Sequence, residues 1–288
     1  MPTLAAVILA AGKSTRMKSK TVKVLHPIAG APIIRYVIAA AVACEPTRLV
    51  LVVGRDGEQV KDAVGSAALF VEQRELLGTA HALLQARTAI EGQADTVLCL
   101  YGDMPLIRPE TVRRLVAAHQ EGRAVMTLLT VGGEDSRGFG RIVRDADGRV
   151  RAIVEEAVAS PEELAIKEYN AGVYGVDGDW LWPRLASLPL SQSGEYYLTD
   201  MLAVAVHEGA TVQAIPCADP DEVLGINNRV HLAQAESIMR SRINQALMLA
   251  GVTLMDPASS YIDATVAIAP DTVVYPNTII QGATQIGE

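Results

Sequence analysis

No apolar run in these 288 residues is long enough to cross a bilayer. The opening run Ala5 to Leu9 is short, and the stretch from Ile33 to Cys44 is interrupted by Arg35, so neither a membrane span nor a membrane partner is expected. The opening run also lacks a basic n-region, so no secretory signal is expected. Cysteine is scarce: Cys44, Cys99 and Cys217 are odd in number, far apart and without a Cys-x-x-Cys pair. They are expected to be reduced and mostly buried in a cytoplasmic protein. Positive charge is in deficit, with 25 Lys and Arg against 33 Asp and Glu and a net charge of −8, which argues against nucleic acid as a partner. His26, His81 and His119 show no metal-ligand spacing.

Against that acidic background one stretch is basic. Ala5 to Leu9 reads as a strand buried on both faces, and the chain turns after it at Gly12, where the missing Cβ admits a ligand close to the backbone. Lys13, Arg16, Lys18, Lys20 and Lys23 follow. Cations and free backbone N–H groups at the carboxyl end of a strand suit a polyphosphate, and ligands of open α/β sheets gather at that edge. Two familiar phosphate motifs are excluded. Gly12-Lys13-Ser14 mimics the end of a Walker A loop, but Val7 stands where the first glycine belongs, and Gly12 lacks the partner glycines of a dinucleotide fingerprint. The loop alone leaves two readings open, phosphate binding or a solvated basic turn.

Strand-like and helix-like segments alternate to about residue 225, as in a largely parallel sheet. Strands are expected at 48–53, 69–73, 96–101 and 170–176. Helices are expected at 31–43, from Thr79, as its cap, to about Ile90, and from Pro109 to a stop at Gly122. Arg141 to Arg144 and Arg149 to Glu155 flank Asp145-Ala146-Asp147-Gly148 and are expected to form a hairpin in a small lobe facing the glycine loop across a cleft. The distal glutamate of a calcium loop is absent there. From Asn228 to Ala250 apolar residues recur at helical spacing, closed by Gly251. Beyond it Ile262, Ile268, Val274, Ile280 and Ile286 fall six apart, the period of a hexapeptide β-helix. Three such repeats make one coil, so about one and a half coils are expected, a solenoid cut short.

The ordered set LAAGKSTRM (from Leu9), KVLH (Lys23 to His26), EQRELLGTAHA (Glu72 to Ala82), LYGDMPL (Leu100 to Leu106), GFGRIV (Gly138 to Val143), IVE (Ile153 to Glu155), YNAGVY (Tyr169 to Tyr174), GEYYLTD (Gly194 to Asp200) and GINNR (Gly225 to Arg229) resembles the sugar-1-phosphate nucleotidylyltransferases. Within them it is most similar to the bifunctional N-acetylglucosamine-1-phosphate uridylyltransferase/glucosamine-1-phosphate acetyltransferase family. The resemblance implies an α/β, Rossmann-like nucleotidyltransferase domain over residues 1–226 with a mixed, mostly parallel sheet. A linking helix at 227–251 and the start of a left-handed β-helix at 252–288, truncated, would follow.

The resemblance implies that Leu9, Ala10, Ala11, Gly12, Gln73, Gly78, Thr79, Tyr101, Gly102 and Asp103 hold the nucleotide, with Gln73 reading uracil. Asp103 and Asn227 match magnesium ligands. Gly140, Glu155, Asn170, Tyr197, Thr199 and Asn227 match the sugar side, and Arg16 and Lys23 the catalytic cations. The implied reaction is attack by N-acetylglucosamine-1-phosphate on UTP, assisted by Mg2+, in the cytoplasm. The family's acetyl-CoA site lies in later coils, so no acetyl transfer is expected. Complete solenoids of the family form homotrimers, which is the expectation where the coils are completed.

Each residue also has a structural reading. Asp103 could cap a helix near Pro105, and Asn227 could cap the linking helix. Gln73 could be polar surface, Glu155 a strand end, and Gly138-Phe139-Gly140 a structural turn. Val22 replaces a usual proline, Ser14 a frequent glycine, Ala157-Val158 a Lys-Asp pair and Ala171 a common threonine, which bear on turnover and sugar preference. Other sugar phosphates, dTTP as the nucleotide, or a catalytically silent subunit remain alternatives.

Overall fold

A computed structural model describes residues 2–191 and 194–287. A sheet of nine strands organises the first part of the chain. Its main path runs Val212–Cys217, Met126–Gly132, Glu168–Asp177, Thr96–Tyr101, Leu4–Ala10, Arg48–Val53, Leu69–Glu72. All neighbours on this path are parallel except those of Glu168–Asp177, which runs antiparallel to both flanking strands.

Why Leu4–Ala10 sits in the middle is visible in its side chains. Ala5, Val7 and Leu9 enter the core on one face, while Leu4, Ala6, Ile8 and Ala10 enter the core on the other. A strand apolar at every position must be covered twice. Val50 and Val52 against Leu49, Leu51 and Val53 repeat the pattern, as do Val97 and Cys99 against Leu98 and Leu100. Helix Thr79–Gln85 covers the first face. Helices Ile33–Val42 and Pro109–Glu121 cover the second.

The hairpin forms as expected, Arg141–Arg144 against Val150–Val154. It joins the main sheet through Tyr169 opposite Arg141, so it is an extension of that sheet and not a separate one. Thr79 is not a helix cap. The cap position belongs to Gly78 at φ +104°, and the expected helix to Ile90 breaks after Gln85 into a second short helix, Arg87–Ile90.

The linking helix spans Arg229–Leu249. Its Ala235, Leu232, Met239 and Ile243 pack with Met17, Ile28, Ile33 and Leu106, fastening it beneath the glycine loop. Two-residue strands follow, and Tyr261–Ile262 pairs in parallel with Ile279–Ile280, as does Ala267–Ile268 with Gln285–Ile286. The residues at period six thus stack one coil apart, with Ile262 and Val274 in the solenoid core.

Candidate active site

Three loops leave the carboxyl ends of parallel strands on one edge of the sheet: the ones at Gly12 and Gly102-Asp103 from adjacent strands, and 73–78 from Leu69–Glu72, one strand further on. Between them lies a cavity of about 300 Å³. Leu9, Ala10, Ala11, Gly12, Lys23, Gln73, Gly78, Thr79, Tyr101 and Asp103, the expected nucleotide residues and one catalytic cation, all line it. Gly102 supports it from beneath: its amide donates to the Leu9 carbonyl at 2.9 Å, and a Cβ there would crowd Ala10 and Ile34.

Gln73 is not polar surface, being only 3% exposed. Its Nε2 donates to the Gly78 carbonyl at 3.1 Å, which fixes the orientation of the amide because a carbonyl can only accept. His81 Nδ1 lies 3.0 Å from the same nitrogen and thereby helps hold it. Nothing in the histidine spacing signals this role. The clue is that His81 falls on the first turn of the helix that starts at Thr79.

Gly78 is required by geometry as well as by its φ. A Cβ there would stand 2.5 Å from the Tyr196 carbonyl oxygen. That close approach stitches 78–80 to the segment that carries the expected sugar residues: Ala80 donates to the Tyr196 carbonyl, Tyr196 to the Leu77 carbonyl, and Leu198 to Thr79 Oγ1. Tyr197 and Thr199 are therefore held beside the nucleotide cavity. Thr199 Oγ1 meets Glu155 Oε1 at 3.5 Å. A Cβ on Gly140 would approach the same Glu155 carboxyl to 3.5 Å and Ile153 to 2.6 Å, so this glycine leaves the carboxylate accessible. Burial pushes the Glu155 carboxyl above its ordinary range, the Thr199 hydroxyl partly offsetting this.

Asn170 turns inward. Its Nδ2 donates to the Tyr174 hydroxyl at 2.7 Å, and its Oδ1 accepts from Gly172 N. Tyr174 in turn interacts with Tyr101, and Tyr101 with Thr79. Burial raises both phenols, which keeps them protonated. The expected sugar and nucleotide residues thus meet through neighbouring side chains.

Four polar residues from three distant stretches of the sequence form two linked pairs, of which Lys23 and Asp103 line the cavity. Lys23 Nζ lies 2.6 Å from Asp103 Oδ2, and Arg16 donates to Asn227 Oδ1 at 2.8 Å. Ile226 N donates to the Asp103 carbonyl at 2.9 Å and so ties the two pairs together. Ser14 Oγ accepts from Lys23 N, closing the basic loop upon itself. Asp103 caps no helix, since the next one starts from Arg108. The linking helix is capped by Asn228, whose Oδ1 accepts from His231 N, which leaves Asn227 free of that duty. Asn227 also lines a neighbouring cavity with Phe139 and His231.

One carboxylate and one amide oxygen make a hard but incomplete donor set. Among the described residues no group of three or more His, Cys, Asp or Glu could hold a metal. Such a pair fits magnesium, which keeps several waters and takes its remaining ligands from substrate phosphates. Lys13, Val22, Leu76 and Glu195 also line the cavity. Of these Lys13 stood out in the sequence as one of the loop cations, and Val22 as a replacement for a usual proline.

The sequence profile of the MobA-like NTP transferase domain matches residues 6–212. Among curated proteins, the chain is 47% identical over 291 residues to the "Bifunctional protein GlmU" of Pelobacter propionicus, covering 100% of this chain and 63% of that protein. It is 48% identical to the protein of that name from Syntrophotalea carbinolica, covering 99% and 61%, and 44% identical to the one from Exiguobacterium, covering 98% and 63%. The chain thus spans less than two thirds of the length of these relatives. A solved structure of CMP:2-keto-3-deoxy-manno-octonic acid synthetase complexed with CTP superposes with a TM-score of 0.63 at 19% identity, over 83% of this chain and 99% of that one, a likeness of fold. No helix among the described residues is long and apolar enough to cross a membrane.

Proposed function

The chain belongs to the MobA-like NTP transferase domain family, and on that premise we propose that it transfers a uridylyl group from UTP to N-acetylglucosamine-1-phosphate. The products would be UDP-N-acetylglucosamine and pyrophosphate. The observation that carries this reading is the Lys23–Asp103 pair in the wall of a cavity lined by the glycine loop, joined through Ile226 to the Arg16–Asn227 pair. The resemblance of the ordered sequence motifs to the N-acetylglucosamine-1-phosphate uridylyltransferases supports the choice of substrates.

In this reading the uracil lies against Gln73, whose Nε2 is taken up by the Gly78 carbonyl and His81 and whose Oε1 is left to accept from the imide N–H. The ribose and α-phosphate lie over Leu9 to Gly12. Glu155, Gly140 and Thr199 receive the sugar, with Asn170 and Tyr197 shaping its pocket. A phosphate oxygen of the sugar phosphate attacks the α-phosphorus in line. The bond from that phosphorus to the bridging oxygen of the β-phosphate breaks, and pyrophosphate leaves with the electron pair. No protein base is needed because the attacking phosphate is already ionised. The chain's part is alignment and charge neutralisation. Arg16 supplies a planar fork and Lys23 a point charge for the phosphates. Asp103 and Asn227 would hold magnesium, which when bound supplies further neutralisation across the phosphates. The same reading places the reaction in the cytoplasm.

A second reading keeps the reaction and changes the sugar. It is favoured by Ala157-Val158, where the resembling family has Lys-Asp, and Val158 is 76% exposed. The test of both is pyrophosphate release across a panel of sugar phosphates with UTP or dTTP. The highest kcat/KM is expected for UTP with N-acetylglucosamine-1-phosphate. A clear preference for glucose-1-phosphate would select the second reading.

A further inference from the structure

The residue before the turn Gly138-Phe139-Gly140 reaches away from that turn to another part of the chain. Arg137 donates from Nη1 to the Pro220 carbonyl at 2.9 Å, and its Nη2 faces Asp221 Oδ1 at 3.5 Å. Arg137 stands in the loop between strands Met126–Gly132 and Arg141–Arg144. Pro220 opens the short helical turn Pro220–Val223, and the chain runs on from there to Asn227. The guanidinium therefore bridges the wall proposed to receive the sugar and the segment proposed to hold the metal. Its backbone sits in the left-handed region at φ +51°, which costs an L residue strain unless its surroundings hold it. Asp135 Oδ1 accepts from Arg137 N at 2.9 Å, and Phe139 N donates to the Ser136 carbonyl at 2.8 Å. The turn is thus wound on both sides of Arg137.

The two ends of this bridge are anchored to different bodies. At the Pro220 end, Asp219 Oδ2 accepts from Arg242 Nη2 at 3.1 Å and from Arg108 Nη2 at 3.3 Å. Glu222 Oε2 accepts from Arg108 N at 3.0 Å, and Ile226 N is bonded to the Asp103 carbonyl. That segment is fastened to the sheet edge and to the linking helix. At the other end, Ser136 Oγ and Arg141 Nη1 both donate to Glu156 Oε2 at 2.7 Å. Glu156 adjoins Glu155, so the loop and the proposed sugar carboxylate form one piece. Between the two bodies lies a cavity of about 500 Å³, lined among others by Arg137, Phe139, Leu224, Asn227 and His231. With that space open beside it, the guanidinium is a strut across a gap. The Asp221 contact is long and that side chain 46% exposed, so the Pro220 bond carries the strut.

We propose that Arg137 is a positioning residue for the transfer, setting the spacing between Glu155 on the sugar side and Asn227 on the metal side. The proposal rests on the transferase reading for its substrate, and on the Pro220 bond for the strut itself. Arginine suits the task because its planar guanidinium offers two N–H groups to one helical turn and stays charged at every working pH. The effect falls on the sugar phosphate. Gln73, Gly78 and the glycine loop follow strands Leu69–Glu72 and Leu4–Ala10, which the strut does not reach. A misplaced sugar wall weakens capture of the attacking phosphate while leaving the nucleotide seated.

Hydrogen exchange read by mass spectrometry, together with steady-state kinetics, tests this on wild type, Arg137→Ala and Arg137→Lys. In Arg137→Ala the amides of 133–140 and 220–227 are expected to exchange faster than in wild type. KM for N-acetylglucosamine-1-phosphate is expected to rise about tenfold, the loss of one charged hydrogen bond. KM for UTP should stay within about twofold of wild type. Arg137→Lys keeps a charged donor and should recover part of both changes. Arg149→Ala, whose guanidinium pairs with Asp147 at the hairpin's exposed turn, is the control and should match wild type. Wild-type KM values in Arg137→Ala overturn the proposal, whether or not exchange is faster. An equal rise in KM for UTP and the sugar phosphate that lysine does not rescue also overturns it, being the mark of general damage to the fold. A wild-type chain that turns over no sugar phosphate removes the transferase reading and the positioning role with it, and the exchange result then decides the strut alone.

Discussion

Ile226 donates its backbone N–H to the carbonyl oxygen of Asp103 at 2.9 Å. This single bond joins the end of a central strand to the residue before Asn227, and with it the Lys23–Asp103 pair to the Arg16–Asn227 pair. Because the bond is between main-chain atoms, side-chain changes at Asp103 and Asn227 can be read as changes in chemistry.

Asp103→Asn keeps the shape and removes the charge that Lys23 faces at 2.6 Å. Pyrophosphate release is expected to fall by about a hundredfold or more, as when one preorganised charge at a reacting centre is lost. Circular dichroism should be unchanged. Wild-type turnover in a folded variant would remove Asp103 from the site.

Lys23→Met tests the other partner. The pair is mostly covered, with side chains 14% and 23% exposed, so its loss should cost more than the ~1 kcal/mol ceiling of a typical surface pair. Urea unfolding should reveal that cost, and kcat should drop by about a hundredfold while KM for the sugar phosphate moves less. A change confined to KM would make Lys23 a binding residue only.

Gly78→Ala places a Cβ 2.5 Å from the Tyr196 carbonyl oxygen at a φ of +104°. The strain is expected to destabilise the chain by about 1–3 kcal/mol in urea. KM for UTP should rise with it, because 78–80 and the Tyr196 segment move together. Unchanged stability would mean that the close approach is not maintained in solution.

Glu155 gives a pH signature. Burial holds its carboxyl above the ordinary value of 4.5, so the folded chain retains a proton that the unfolded chain gives up. Ionising it costs stability as pH rises from about 4.5 through the raised value, and the cost persists above that. Glu155→Gln is therefore expected to unfold at higher urea than wild type at pH 8, with the advantage shrinking toward pH 4. In the same variant KM for the sugar phosphate should rise by about tenfold. A variant less stable than wild type at pH 8 would contradict the burial argument.

Much of this was legible in the sequence because it depends on periodicity and on strand ends. The run Ala5 to Leu9 requires cover on both faces, and the six-residue spacing of Ile262, Ile268, Val274 and Ile280 brings Ile262 and Ile280 together one coil apart. Loop residues such as Gly12 and Asp103 inherit their positions from the strands before them. What stayed hidden depends on tertiary contact. Thr79 looks like a helix cap, yet its hydroxyl is taken by Leu198 N and Gly78 holds the cap position. Asn227 and Asn228 are equivalent as helix starters in sequence, and only the bond to His231 N tells them apart. Gln73 is buried because residues 78 and 81 fold back over it, which no local pattern announces.

The most direct measurement is mass spectrometry of the products formed from UTP, N-acetylglucosamine-1-phosphate and magnesium, with pyrophosphate assayed in parallel. UDP-N-acetylglucosamine and pyrophosphate in equal amounts are expected from the wild-type chain, and neither from Asp103→Asn. A folded wild-type protein that binds UTP yet forms no nucleotide sugar with any sugar phosphate tested would contradict the account.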